Sequence, residues 1–180
     1  YDITHKLYLA LARSKFCVGS IDEAIVFADA VLANSRTPRD KIGAYQLLIW
    51  TSLSRNNTDA AFKFTIKGLE DIWKEAPQQK NVDEELRRIR LLFNNKADAE
   101  FLMLPKMDHR KAESKMTFLA LLAEVSVLKR DHLHQDLAVL RMAEITMHYG
   151  TSDLTGLVFA LYGILLTRRG LQSEAYRFGH

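Results

Sequence analysis

Apolar side chains recur along this chain at spacings of three and four residues, and no stretch alternates apolar and polar every second residue. Residues 2–18 carry Ile3, Leu7, Ala10, Leu11, Ser14 and Val18 on one stripe, which predicts an amphipathic helix buried along that stripe. Residues 22–34 predict its antiparallel partner, with Ala24, Phe27, Ala28, Val31 and Leu32 facing inward. A third helix is expected to end near Arg55 and a fourth to span 59–74. Beyond a loop at 77–81, a helix is expected to end near Asn94-Asn95. A short helix over 98–104 is then stopped by Pro105. Longer helices follow, one capped by Asp108 and reaching about Lys129, one over 132–149 with Leu133, Leu137, Leu140, Met142 and Ile145, and one over 153–169. The run Phe118 to Ala123 is apolar nearly all round, as suits a helix enclosed by neighbours. The expected class is all-α.

Local signals punctuate these helices. Ser20 with Glu23, and Asn81 with Glu84, have the spacing of capping boxes, and Glu84 stands four residues before Arg88 for pairing. Thr37-Pro38 reads as an N-cap followed by proline in the first turn, with Asp40 behind it. Gly156, Ala160 and Gly163 form a small-residue ridge suited to a close helix contact.

One stretch returns. Gly19-Ser20-Ile21-Asp22-Glu23-Ala24-Ile25-Val26-Phe27-Ala28 reappears as Gly170 to Gly179, keeping Gly, Glu-Ala and Phe in frame. A weaker copy runs from Asn56 to Thr65, with Ala61 standing 37 residues after Ala24. Gly19 and Asn56 suit a left-handed helix end, and alanine at the repeated position permits close packing of two helices. A helix–turn–helix repeated with a period in the thirties resembles the tetratricopeptide pattern. The expectation is therefore a right-handed α-solenoid of antiparallel helix pairs in a single domain over 1–180. Residues 1–76 supply two clear repeats, 77–107 an irregular helical connector, and 108–180 further pairs with the last one cut short.

Composition narrows the function classes. With 180 residues, 48% of them hydrophobic, and only 8 Gly and 3 Pro, the chain has material for a sizeable core. The 25 basic and 22 acidic residues leave a net charge of +3, too mild to argue for nucleic acid. The basic groups Arg87, Arg88, Arg90 and Lys106, Arg110, Lys111, Lys115 read as solvated faces paired with Glu84, Glu85 and Glu113. A single cysteine, Cys17, suits a reducing, cytoplasmic setting and reads as a small core residue. The longest apolar run, 154–166, is too short to span a bilayer. Chain ends at Tyr1 and His180 predict a piece of a larger protein.

Catalytic chemistry leaves no trace in these residues. No phosphate-binding loop, HExxH or paired-cysteine spacing occurs, and His132 with His134 reads as a helix-start surface cluster. The expectation is no enzyme, no catalytic residue, no metal and no cofactor.

The middle of the chain resembles a particular helical region. Leu102-Met103-Leu104-Pro105-Lys106-Met107-Asp108 followed by Met116-Thr117-Phe118-Leu119 is similar to an "LPxMxD … MxLL" segment. Tyr1-Asp2-Ile3-Thr4, Thr37-Pro38-Arg39-Asp40, His148-Tyr149-Gly150-Thr151-Ser152 and Phe159-Ala160-Leu161-Tyr162-Gly163 fit it as well. That segment belongs to the tetratricopeptide-like linker of large hybrid signalling kinases. They join a Ser/Thr-kinase-like domain, an AAA/STAND ATPase, this linker, a GAF domain and a histidine kinase. The resemblance implies a non-catalytic scaffold or regulatory module of a multidomain sensor kinase. The repeat alone equally allows a stand-alone peptide-binding adaptor, or the regulatory arm of a STAND-ATPase transcription factor.

If the first helix of each pair lines a concave wall, its inner positions are Lys6, Leu9, Arg13 and Phe16, with Gly43, Gln46, Trp50 and Leu53 one repeat later. Lys6, Leu9, Arg13, Phe16, Gln46 and Trp50 are thus the candidate partner-binding residues. The competing reading of Trp50 is a core residue between repeats. Expected partners are proteins or peptides, including other domains of the same chain, with no nucleic acid and no membrane. A homodimer through the cut end is also expected, because Tyr176 and Phe178 need cover.

Overall fold

The computed structural model describes residues 2–75, 81–94 and 96–178. Among these residues the chain forms ten α-helices, one 3-10 turn and no strand, and it divides into two compact units, Tyr1–Ala76 and Pro77–His180. The expected loop at 77–80, the helix end at Asn95 and the terminal residues Tyr1 and His180 lie outside the described residues.

The first unit holds α1 (Asp2–Cys17), α2 (Ile21–Asn34), a 3-10 turn (Pro38–Lys41), α3 (Ile42–Ser54) and α4 (Thr58–Trp73). Left-handed backbone ends α1 at Gly19 (φ +82°) and α3 at Asn56 (φ +55°), so the chain reverses at both recurring positions. Asn57 then caps α4, its side chain accepting the Ala60 N–H at 3.0 Å. Thr37 and Asp40 form their capping box, which opens the 3-10 turn rather than α3 itself. The box expected at Ser20 does not form. Its hydroxyl makes no capping bond, and Glu23 instead meets Lys15 at 2.5 Å across the turn.

Within this unit α1 packs on α2, α3 packs on α4, and both α1 and α2 touch α3. The core is built on alanines: Ala12, Ala24, Ala28 and Ala44 are fully buried beside Val31, Leu47 and Leu48. Ala61 is fully buried as well. That alanine seam explains an overturned expectation. The stripe predicted to face inward from α1 points outward, with Ile3 83% and Val18 72% exposed. Leu9, Ala12 and Phe16 face the core instead. Large side chains dominate a periodicity count, but the backbones approach wherever alanine allows it. Cys17, expected in the core, is exposed at the end of α1, past the last inward position.

Ala24→Leu adds three carbons at a fully buried helix contact. Overpacking of this kind costs about 1–3 kcal/mol, read as a lower urea midpoint with an unchanged slope. An unaltered midpoint would contradict this helix register.

One polar link ties α3 to α4. The buried Tyr45 hydroxyl donates to Asp71 Oδ2 at 2.5 Å, and Lys41 Nζ lies 3.4 Å from the same oxygen. Burial, then the hydrogen bond to Asp71, pushes the Tyr45 phenol well above its ordinary range. The Asp71 carboxyl is held low, chiefly by the Tyr45 hydrogen bond.

The second unit holds α5 (Val82–Asn94), α6 (Asp98–Leu102), α7 (Arg110–Lys129), α8 (His132–Tyr149), α9 (Thr155–Arg168) and α10 (Gln172–Tyr176). His109, not Asp108, caps α7, its Nδ1 accepting the Ala112 N–H at 3.1 Å. Asp131 caps α8 through the His134 N–H. At the start of α5, Asn81 Oδ1 accepts the Asp83 N–H at 2.9 Å. The recurring motif again turns on a left-handed residue, Gly170 at φ +74°, and buries Ala175. The segments 105–107 and 150–151, both inside the stretches that carry the resemblance, meet in an isolated parallel bridge. Met107 N–H donates to the Thr151 carbonyl at 2.7 Å and Thr151 N–H to the Pro105 carbonyl at 2.8 Å.

The small-residue ridge of α9 is split. Gly163 is buried against the Ala175 carbonyl and Phe178, whereas Gly156 and Ala160 face outward. Helix α8 packs against α5, α7 and α9. Val82, Leu86, Ile89 and Phe93 form the apolar row of α5, and all four are buried. Phe93 stacks on Tyr162 of α9 with centroids 4.8 Å apart and meets Phe178 edge-on at 5.2 Å. Phe178, expected to need a partner beyond the chain, thus packs half-buried against α5, whereas Tyr176 stays exposed.

Ion pairs join the same helices. Arg88, expected to pair with Glu84, instead bonds Glu85 at 2.7 Å and Glu144 at 2.6 Å, and Arg141 donates to the other oxygen of Glu144. Burial alone would push the Glu144 carboxyl up, but the bonds from Arg88 and Arg141 outweigh it and bring it down to about 2. Arg90 makes a two-pronged contact with Glu174 of α10. Buried Asp136 of α8 accepts from Arg168 at 2.5 Å and from Arg169 at 3.0 Å.

Candidate functional site

The six candidate residues lie on α1 and α3, and the structure sorts them by environment. Leu9 and Phe16 are half-buried and pack against the alanine core, so they hold α1 in place. Lys6 is exposed and pairs with Asp2 at 2.7 Å one turn earlier, a surface ion pair worth little. Arg13 and Trp50 are exposed, and Gln46 is half-buried.

Gly43 sets the approach of the two helices. A Cβ at that position would stand 2.7 Å from Leu9 Cδ2 and 3.4 Å from Arg13 Nη2. No side chain fits there unless Leu9 moves. The α1 row therefore closes directly over the start of α3, and Arg13 lies across that contact.

What the three remaining residues share is unused hydrogen-bonding capacity. Among the described residues the Arg13 guanidinium has no ion pair or hydrogen bond, and the Gln46 amide and the Trp50 indole N–H have no hydrogen-bond partner. Trp50 is 40% exposed, so the enclosed-core reading of this residue does not describe it. An indole, a guanidinium and an amide are side chains able to meet carboxylates and aromatic or apolar groups.

Sequence reasoning did not find the concavities of either unit. A pocket of about 340 Å³ opens between α1 and α2, lined by Thr4, His5, Tyr8, Val31, Asn34 and Arg36. Its walls come from residues some 30 positions apart, which periodicity does not bring together. A groove of about 410 Å³ runs along α7 and α9 in the second unit. Among the described residues there is no group of three His, Cys, Asp or Glu side chains placed to hold a metal ion. His134 Nδ1 instead lies 2.7 Å from Asp131, and His132 Nδ1 accepts from Arg168 at 2.9 Å. No helix among the described residues is long and apolar enough to cross a membrane. Comparison with family models, with curated proteins and with solved structures returns no match to this chain.

Proposed function

We propose that this chain is a non-catalytic helical-repeat module that makes protein contacts, and that its first unit is two turns of a right-handed tetratricopeptide-like solenoid. The observation that carries the reading is that Arg13, Gln46 and Trp50, on the first helices of two successive hairpins, have no ion-pair or hydrogen-bond partner among the described residues. In the solenoid reading these helices line one wall, and Arg13 and Trp50 occupy equivalent positions 37 residues apart. The partner is an acidic peptide or an acidic surface of another domain, its carboxylate on Arg13 and an apolar group against Trp50.

The stretches 102–108 and 148–152 resemble the linker of hybrid signalling kinases, which supports placing the module in such a sensor kinase, where it relays or restrains rather than catalyses. Their meeting in one backbone bridge gives both a structural role, in keeping with a scaffold. Flanking sequence that encodes a phosphate-binding loop upstream and a GAF or histidine-kinase domain downstream is the expected finding. A helix-turn-helix domain downstream would favour the transcription-factor arm instead.

Trp50→Ala tests the contact surface. For acidic peptides selected from a random display library on the purified protein, the dissociation constant should rise about 30-fold, the loss of a hot-spot aromatic. The melting temperature should stay within a few degrees. Unfolding with no selective loss of binding would return Trp50 to a packing role and overturn the proposal.

A further inference from the structure

We infer that the groove between α7 and α9 is a second docking surface, and that its occupant is an amphipathic helix with one basic residue set in its apolar face. Both helices pack on α8 and leave an open channel between them. Its walls are Leu121 and Val127 from α7, Leu154 just before α9, and Leu157 and Leu161 within α9. Leu157 is 46% and Val127 52% exposed, so the apolar lining faces solvent. Glu124 is the one charged residue lining the groove, and its carboxylate has no ion pair or hydrogen bond among the described residues.

The form of the occupant follows from the walls. The main-chain groups inside both helices are already bonded within the helix, so an extended peptide pressed into the groove would bury its own N–H and C=O groups without partners. A helix brings those bonds with it and presents anchors at i, i+3 or i+4, and i+7, the spacing of Leu154, Leu157 and Leu161 in the wall itself. The α7 wall from 117 to 127 is on the order of 15 Å long, room for about three helical turns. The charge follows from Glu124. An apolar partner would desolvate a lone carboxylate, whereas a Lys or Arg beside the anchors would pair with it.

This surface lies in the second unit and does not depend on Arg13 or Trp50. The test is a display library of amphipathic helices randomised on the apolar face, selected on the purified chain. Enriched helices should carry Lys or Arg among leucines and bind Leu157→Asp about 30-fold more weakly. Selection repeated on Glu124→Lys should return helices with Asp or Glu at that place. Both substitutions are at exposed positions, and circular dichroism checks the fold. Trp50→Ala should bind the selected helices as the unaltered chain does. No enrichment, enrichment without a charge preference that reverses with residue 124, or full binding to Leu157→Asp would each overturn the inference. Binding abolished by Trp50→Ala would also overturn it, by moving the helix to the first surface and leaving that proposal standing.

Discussion

Phe93→Ala is expected to destabilise the protein by about 3–5 kcal/mol. The ring is buried and touches four others: it stacks on Tyr162, meets Phe178 and Phe159 edge-on, and lies 5.4 Å from Phe101. Removing it opens a cavity lined by rigid rings that relax poorly, and it forfeits the aromatic contacts as well. Amide exchange should locate the damage, with α5, α9 and α10 losing protection while α1 to α4 keep theirs. A loss below about 1 kcal/mol would mean that α5 does not seal the α9–α10 end.

Asp136→Ala is expected to cost about 2–3 kcal/mol. The carboxylate is buried on α8 and accepts from two arginines at the end of α9, where cations also meet the helix dipole. Alanine leaves both guanidinium groups without their acceptor. Each is about a third exposed, and Arg169 keeps a bond to Asp83 while Arg168 keeps Gln135, so water and these contacts hold the loss below that of a fully enclosed pair. Asp136→Asn retains one acceptor oxygen and should cost less. Urea denaturation of the two variants decides the matter, and equal stability of Asp136→Ala with the unaltered chain would contradict the role assigned to the pair.

The helices were legible where turn chemistry is local. Gly19, Asn56 and Gly170 take the left-handed backbone that their residue types favour, and the alanine set between turn and phenylalanine is buried in all three copies. Packing faces were less legible. In α1 Ile3, Leu7 and Leu11 sit on the outer side, and the inner side is chosen by Ala12 against Ala24, Ala28 and Ala44, which a hydrophobicity count barely registers. Capping depends on side-chain rotamers within one turn, so Glu23 found Lys15 and Ser20 made no cap. The position of α5 could not be read at all: its apolar row is plain in sequence, but nothing local says that it closes on α9 and α10, some 70 residues onward. The surroundings of the candidate residues were legible in part. Register put Arg13 and Trp50 at equivalent positions and both are exposed, whereas the packing duty of Leu9 and Phe16 emerged only with the Gly43 contact.

The exposed candidate residues of α1 and α3 are proposed as a partner-binding face. Amide and side-chain chemical-shift mapping tests it most directly, by titrating a library-selected acidic peptide into the labelled protein. Saturable shifts are expected at Arg13, Gln46 and Trp50 and on the exposed side of α1 and α3, with the Trp50 indole N–H among the largest. Saturable shifts confined to other helices, or no shifts at peptide concentrations that saturate binding, would contradict the claim.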